Sequence, residues 1–508
     1  MLPMRAMGRL LSTTPPLLLS ALIATQPLAA RAPSDAAVEA RLRGHVETLA
    51  ADAMEGRKPG TEGGNMAAAY IARAFAAVGL KAGATDGSYY MPVALVERRP
   101  ADTKAEWRIS GAVVRVDADT VALRAAAPET RIMDAPLIFG GYGIDDEKAG
   151  IRSFDGVDVR GAVVLIFGDT PPGLDHAPGY TARRDALIAS GAAAVIRIAP
   201  DDKKWADFDK ALAEPENDLA DGTPEPTRGA MAPAAWAKLA KAGKLDGITA
   251  ADMARPEFRA VRIDGTASLN IATSLRPYRS WNVVGRLAGS DPAAGALLYL
   301  AHWDHLGICR PEGAADRICN GAVDNASGVA MIIEVARGLA AAKKPPVRDI
   351  YFVATTAEEM GLLGAHALAK APPVPAERIA AVLNFDTVAI APRATPVATL
   401  GRGQTPLDPL IDAAARRQGR RINASTDANA LTPRQDGWAF TQIGVPAVMV
   451  GGSLNLDLLK AYLGGEYHKP GDDLAQPIVL DGVAEDVRLH VTLGQMIADP
   501  KRYQPPPR

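Results

Sequence analysis

Four side chains between Leu298 and Gly364 have the types and spacing to hold or serve a divalent metal: His302, Asp324, Glu358 and Glu359. They stand in three short strings, A-H-W-D-H-L-G, N-G-A-V-D-N-A-S-G and A-T-T-A-E-E-M-G. Further on, N-F-D ends at Asp386, and Y-H-K-P-G-D-D carries His468. Imidazole and carboxylate donors, with no thiolate required, suit an open catalytic site for zinc, with cobalt or manganese as alternatives. Each string alone is weak evidence. Acidic residues in loops are usually just solvated, and Asp324 taken alone suits a helix N-cap. The stronger signal is the order of the set along the chain.

The elements that must position these groups alternate. Apolar runs at 282–287, 296–301, 349–354, 381–385 and 447–450 read as strands. Between the second and third, 325–342 places Val329, Ile332, Ile333, Ala336 and Leu339 on one helical face. Such alternation predicts an α/β fold, a mixed and mostly parallel sheet with helices on both faces. Binding groups in these sheets gather at the carboxyl ends of the strands. His302 follows one strand, Glu358 and Glu359 follow another, and Asp386 ends a third. Helices over 36–50 and 63–78, joined by the turn-rich M-E-G-R-K-P-G-T, belong to the same unit. His45 and His366 fall on helices and are read as packing, and His305 at best as a support.

From 101 to 275 the texture changes. Short β-like runs at 113–116, 135–139, 162–167 and 193–198 surround a helix near 181–190, a small β-rich α/β pattern. The stretch 200–254, rich in Ala, Lys, Asp and Pro, reads as surface helices and loops. The block reads as an inserted non-catalytic domain, and its one histidine, His176, has no partner at a recognisable spacing. The expected plan is a signal peptide at 1–32, an N-terminal part of the catalytic unit at 33–100, the insert at 101–275 and the catalytic domain at 276–508.

Composition narrows the classes. A chain of 508 residues exceeds one typical domain, and 48% hydrophobic with 22% charged residues is ordinary for a globular protein. A formal charge of -2 gives no footprint for nucleic acid or an anionic membrane. Arg5 and Arg9 precede an apolar centre at 17–24, and Ala30-Arg31-Ala32 offers a small-x-small cleavage site. That centre is too short to span a bilayer. The mature protein is expected to be exported, periplasmic or extracellular, and free of the membrane. The two cysteines, Cys309 and Cys319, both lie between His302 and Asp324. In an oxidising compartment their spacing suits a disulfide that pins this loop, with free thiols or soft metal ligands as the alternative.

The five ordered motifs resemble those of the family M28 metallopeptidases, the dinuclear zinc aminopeptidases, and the likeness covers nearly the whole mature chain. M-E-G-R-K-P-G-T-E-G is similar to that family's N-terminal region. G-G-Y-G-I and F-D-G-V-D-V-R-G-A-V-V-L-I-F look like the protease-associated domain that some members insert. The resemblance implies two zinc ions per chain, with His302 and Asp386 on one, Glu359 and His468 on the other, and Asp324 bridging. It implies Glu358 as general base, and chemistry agrees, since two metals can activate a water and polarise a scissile carbonyl. Asp304 is then the natural acceptor for the second ring nitrogen of His302, and Asp472 a support for the His468 loop. The sequence departs from the family at an S-D-H-like segment, where R-Q-D-G-W-A-F (434–440) stands. No tyrosine lies near it to serve as an oxyanion donor. The implied activity is an exopeptidase, an aminopeptidase acting on peptides with a free N-terminus. Carboxypeptidase or glutaminyl cyclase chemistry on the same scaffold, or a non-catalytic receptor-like protein, are the rivals. H-E-x-x-H and G-x-S-x-G strings do not occur, and the oligomeric state stays open.

Overall fold

The apolar runs that flank the charged strings become the middle of one large sheet. The computed structural model describes residues 35–146, 150–169 and 177–506. The expected signal peptide and His176 lie outside the described residues. In chain order the principal strands are β1 Tyr90–Ile109, β2 Val121–Arg124, β3 Glu129–Phe139, β4 Val163–Phe167, β5 Ala194–Ile198 and β6 Arg228–Met231. They continue as β7 Val261–Leu287, β8 Ala296–His302, β9 Asp349–Thr355, β10 Ile379–Asn384, β11 Ala398–Leu400 and β12 Ala447–Gly451. The sheet path is β11-β12-β10-β8-β9-β7-β3-β4-β5-β6-β2, with β1 paired to β7. The four strands β12, β10, β8 and β9 are parallel, and β11 and β7 flank them antiparallel.

Strand β8 shows why this part of the chain is so apolar. Leu297, Tyr299 and Ala301 enter one hydrophobic cluster, while Ala296, Leu298 and Leu300 enter another on the opposite face. A strand buried on both faces has no solvent side to alternate with. On the first face pack helices α1 Asp35–Leu49, α2 Glu62–Ala77, α3 Ser327–Ala340 and, at the end of the chain, Leu480–Ile497. Leu363–Lys370 and Gly437–Thr441 cover the other. The expected α/β sheet covered on both faces is present, and most expected helices and strands fall within a residue or two of those observed, but the strands expected at 282–287 and 135–139 are only the ends of Val261–Leu287 and Glu129–Phe139. One difference bears on the site. The helix expected from 325 begins at Ser327, because Ala322–Ala326 forms a separate turn in which Asp324 and Asn325 leave helical geometry. The Asp324–Asn325 peptide is cis.

The block expected as an insert builds its own core. Trp107, Leu137, Phe139, Leu165, Ile196 and Leu269 are among its fully buried side chains. No flexible linker joins it to the parallel strands. Strands β1 and β7 pair antiparallel from Tyr90–Val283 to Ile109–Gly265, with one irregularity at Ala272/Thr273. This ribbon runs unbroken through both expected boundaries, near 100 and near 275. The expectation of only surface helices and loops over 200–254 needs correction. Helices Asp202–Ala213 and Pro233–Ala242 are there, but β6 lies between them, with Gly229, Ala230 and Met231 buried. Four residues with a glycine and no β-branched side chain carry almost no strand signal.

Candidate metal centre

Register brings the charged strings together. Along the parallel strands His302 pairs with Thr355 and Leu300 with Asn384, so three carboxyl ends finish level. His302 ends β8, Glu358 and Glu359 follow β9 by three and four residues, and Asp386 follows β10 by two. Asp324 arrives from the turn before α3, and His468 from the loop before the last helix. The backbone bends sharply at these points. Ala357, beside Glu358, Thr387, beside Asp386, and His468 itself have φ of 55, 53 and 58°. Left-handed φ is costly for residues with a Cβ, and its clustering here marks geometry imposed by the surrounding packing.

Asp324 sits between the two histidines. Its Oδ1 is 3.2 Å from His302 Nε2, and its Oδ2 is 3.4 Å from His468 Nε2. His302 Nε2 is also 3.5 Å from Asp386 Oδ1 and 4.0 Å from Glu358 Oε2. His468 Nε2 is 2.9 Å from Glu359 Oε2. All five expected ligands and the expected base therefore meet in one place. Asp324 is no helix cap: that task falls to Asn325, whose Oδ1 accepts the Gly328 N–H at 2.9 Å.

Each of these groups is held from behind. Asp472 accepts the main-chain N–H groups of Val323 (2.9 Å) and Asp324 (3.0 Å) and the hydroxyl of Tyr462 (2.8 Å). It thus ties the His468 loop to the Asp324 loop, a firmer role than the sequence suggested. His305, fully buried, contacts Glu359 Oε1 through Nδ1 at 2.6 Å, leaving Oε2 facing His468. Asp304 differs in detail from expectation. The ring Nδ1 of His302 meets the Asp304 main-chain carbonyl at 3.2 Å, while the carboxylate lies 4.0 Å away. The Asp304 carboxylate instead accepts the Glu358 N–H at 3.1 Å, fixing the base's backbone. Asp436, from the segment that departs from the family pattern, is buried and accepts a hydrogen bond from Thr355 Oγ1. Its acid reads on the page of the sequence as part of R-Q-D-G, but nothing in that string placed it beneath His302.

The balance of charge favours a cation. Six carboxylates (Asp304, Asp324, Glu358, Glu359, Asp386, Asp436) gather around three imidazoles, most of them deeply buried. Burial pushes Glu358 well above the usual carboxylate range, and Asp386, Asp436 and Glu359 push it further. Burial likewise carries Asp304 up to about 7 and Asp436 to about 6. Burial alone would lower the two histidines. The facing carboxylates overcome it, raising His302 well above its ordinary value and His468 to about 9. Burial opposes ionisation of Asp324, but hydrogen bonding to His302 and His468 holds it far below the carboxylate range. The His468 Nε2 atom is buried and lacks a hydrogen bond of good geometry, although two carboxylate oxygens flank it. A donor nitrogen and flanking oxygens turned toward a common point, with too much negative charge around them, fit divalent ions.

Beside the carboxylates a cleft opens. Asp324, Glu358 and Asp386 line its acidic side, and Leu400, Leu431, Met449, Leu454, Leu459 and Leu463 its apolar side. Tyr467 and Arg434 complete it, 3.4 Å apart. A tyrosine is thus present after all, delivered not by the 434–440 segment but by the residue next to His468. Cys309 and Cys319 form a disulfide across the short hairpin that pairs Gly307–Ile308 with Ile318–Cys319. His366, on Leu363–Lys370, and His45, bonded to Tyr70 at 2.7 Å, stand apart from the cleft as read.

Parts of the chain are similar to known proteins. Residues 282–487 match peptidase family M28. A probable zinc metalloprotease of Pyrenophora teres f. teres (strain 0-1) is 38% identical over 112 residues, 22% of this chain and 23% of that protein. The chain thus matches under a quarter of the length of that curated relative. Among solved structures, an aminopeptidase from Aneurinibacillus sp. strain AM-1 aligns with a TM-score of 0.49 at 17% identity, over 93% of this chain and 97% of that one. A zinc aminopeptidase from Bacillus subtilis aligns with a TM-score of 0.45 at 18% identity, over 90% and 94%. The match to peptidase family M28 is thus confined to residues 282–487, the stretch that carries the ordered motifs and the parallel strands.

Proposed function

We propose that the chain is a metal-dependent exopeptidase that removes N-terminal residues from peptides, using a pair of divalent ions, zinc in preference to cobalt or manganese. One observation carries this reading: the two carboxylate oxygens of Asp324 face two different histidines, His302 at 3.2 Å and His468 at 3.4 Å. His302 and Asp386 would hold one ion, Glu359 and His468 the other, and Asp324 would bridge. When bound, the ions would acidify the attacking water and polarise the scissile carbonyl. Glu358, on the cleft wall and within 4.0 Å of His302 Nε2, takes the proton of that water and returns it to the leaving amine. The Tyr467 hydroxyl, on the same wall, donates to the carbonyl oxygen as charge builds there. The apolar side of the cleft accepts an aliphatic N-terminal side chain.

Export belongs to the same reading, and the Cys309–Cys319 disulfide supports it. Among the described residues no helix is long and apolar enough to cross a membrane. The block with its own core is proposed to be a protease-associated domain. A second reading, carboxypeptidase action, is favoured by one feature, the Arg434 guanidinium on the cleft wall, which suits a substrate carboxylate. Zinc-loaded protein assayed on leucyl-p-nitroanilide and on N-acetylated peptides with a free carboxyl end, with and without chelator, separates the two. Cleavage of the free-amine substrate alone, lost with chelator, is expected. Cleavage of N-blocked peptides from the carboxyl end would favour the second reading.

A further inference from the structure

The M-E-G-R string has no role in the chemistry above. Asp52–Arg57 forms a tight turn in which Glu55, Gly56 and Arg57 have φ of 47, 64 and 51°. Only glycine fits the middle position, since a Cβ there would come within 2.3 Å of the Cys319 carbonyl oxygen. Three left-handed residues in a row carry the Arg57 side chain beneath the floor of the site, where it is 0% exposed. There its Nε donates to Trp303 O at 2.7 Å and its Nη2 to Gly321 O at 2.9 Å. Its Nη1 donates to Leu49 O at 2.7 Å and Asn320 O at 2.5 Å. Trp303 is the residue after His302, and Asn320 and Gly321 lead into the turn that holds Asp324. The main-chain N–H of His305 reaches back to Arg57 O at 3.4 Å. Among the described residues no carboxylate lies within ion-pair reach of this guanidinium, so all its hydrogen bonds go to main-chain carbonyls.

We infer that Arg57 is a positioning residue for the metal centre. It grips the His302 loop and the Asp324 loop from one planar fork, and so sets the distance between an imidazole and the carboxylate expected to bridge. Its permanent charge also lies beneath Asp324, Asp304, Glu359 and Asp472 and steadies that acidic cluster in the metal-free protein. A lysine would keep the charge but lose the fork, because one ammonium cannot reach four carbonyls in fixed directions. The inference rests on the metal-centre reading above.

The test is a calorimetric titration of metal-stripped, full-length protein with zinc, for the wild type, Arg57→Lys, Asn320→Ser and Val46→Ala. Asn320→Ser leaves Arg57 intact but releases the side chain that anchors the same loop to Ala50 O and Asp52 Oδ1, each at 2.9 Å. Val46→Ala loosens the nearby core on α1 and serves as a control for lost stability alone. Arg57→Lys is expected to bind zinc about 10–100-fold more weakly, the scale seen when groups behind metal ligands are changed. Asn320→Ser should shift in the same direction by less, and Val46→Ala should melt earlier yet bind like the wild type. Wild-type protein that takes up no zinc would overturn the metal-centre reading itself. Wild-type binding matched by Arg57→Lys would overturn only the role of Arg57. Should Arg57→Lys fail to fold, Arg57→Gln, which keeps a planar donor but loses the fork, decides, and unchanged affinity there would overturn the role.

Discussion

Along the β1–β7 ribbon and its neighbouring strands, charge is settled in pairs. Arg98 meets Asp218, Arg124 and Arg228 share Glu216, and Arg276 holds Glu97 at 3.0 Å. Below the ends of β8, β9 and β10 the pattern reverses. Six carboxylates converge with three histidines, and among the described residues no lysine or arginine forms an ion pair with any of them. Both regions bury polar groups against well-packed apolar cores. The first is complete as folded, because each of these cations has its acid. The second leaves an excess of negative charge and a donor nitrogen facing inward, an arrangement that a bound cation would complete. The contrast separates a scaffold from a site within one continuous sheet.

The sharpest way to break the contrast is Glu358→Gln. It keeps the shape of the cleft and the five expected ligands and removes only the proton acceptor. Peptidase activity should fall by about 10²–10⁴-fold while zinc content is unchanged. Near-normal turnover in that variant would remove Glu358 from the role of base. Asp472→Asn probes the support behind the ligands. It weakens the grip on the Val323 and Asp324 N–H groups and should cost about 10–100-fold in zinc affinity, read by competition with a chelator. Equal affinity would reduce Asp472 to a loop tie without influence on the centre.

Acid separates the regions by a different route. His490, on the last helix behind the parallel strands, is fully buried with Nε2 2.8 Å from Val450 O, and burial lowers its pKa to about 4. Between about 4 and the ordinary 6.5 the unfolded chain binds a proton that the folded chain refuses. Stability from this group is therefore full above pH 6.5 and drains as pH falls toward 4, about 2 kcal/mol of it between pH 7 and pH 5. Glu97 in the ribbon behaves otherwise. The Arg276 side chain hydrogen-bonds it and, against burial, holds it down at about 2, so its contribution is lost only below the ordinary carboxylate value of 4.5. Denaturant melts of wild type and His490→Leu at pH 7 and pH 5 check this. An equally steep loss in the variant would assign the acid sensitivity elsewhere. The smallest effect is expected from Arg228→Ala, which breaks a partly buried pair with Glu216 and a longer one with Glu225. It should cost about 1 kcal/mol of stability and leave zinc affinity alone. A change in zinc affinity there would mean that the two regions are coupled.

Much of the site was legible in the chain because its ligands follow apolar strands of helical-crossover spacing, and register then did the rest. His302, Glu358, Glu359 and Asp386 needed only level strand ends to meet. What stayed hidden depends on contacts between distant segments. Asp436 and Tyr467 look like ordinary loop residues until the sheet closes, although the adjacency of Tyr467 to His468 was a usable signal. Arg57 was quoted as part of a motif, but its carbonyl partners lie eight residues before it and some 250 after it. The ribbon was missed for another reason. Residues 97–108 are rich in charge and 262–280 in small polar residues, so neither reads as a strand, yet the two pair with each other along most of their length. Pairing of this kind is invisible to any local window.

The central claim is a centre for two ions bridged by Asp324. Zinc bound per chain, measured by mass spectrometry after exhaustive dialysis of wild type and Asp324→Ala purified side by side, tests it most directly. The account predicts two zinc ions per wild-type chain and loss of both in Asp324→Ala, in protein that stays folded by circular dichroism. A wild-type chain with one ion or none, or an Asp324→Ala chain that keeps both, would contradict it.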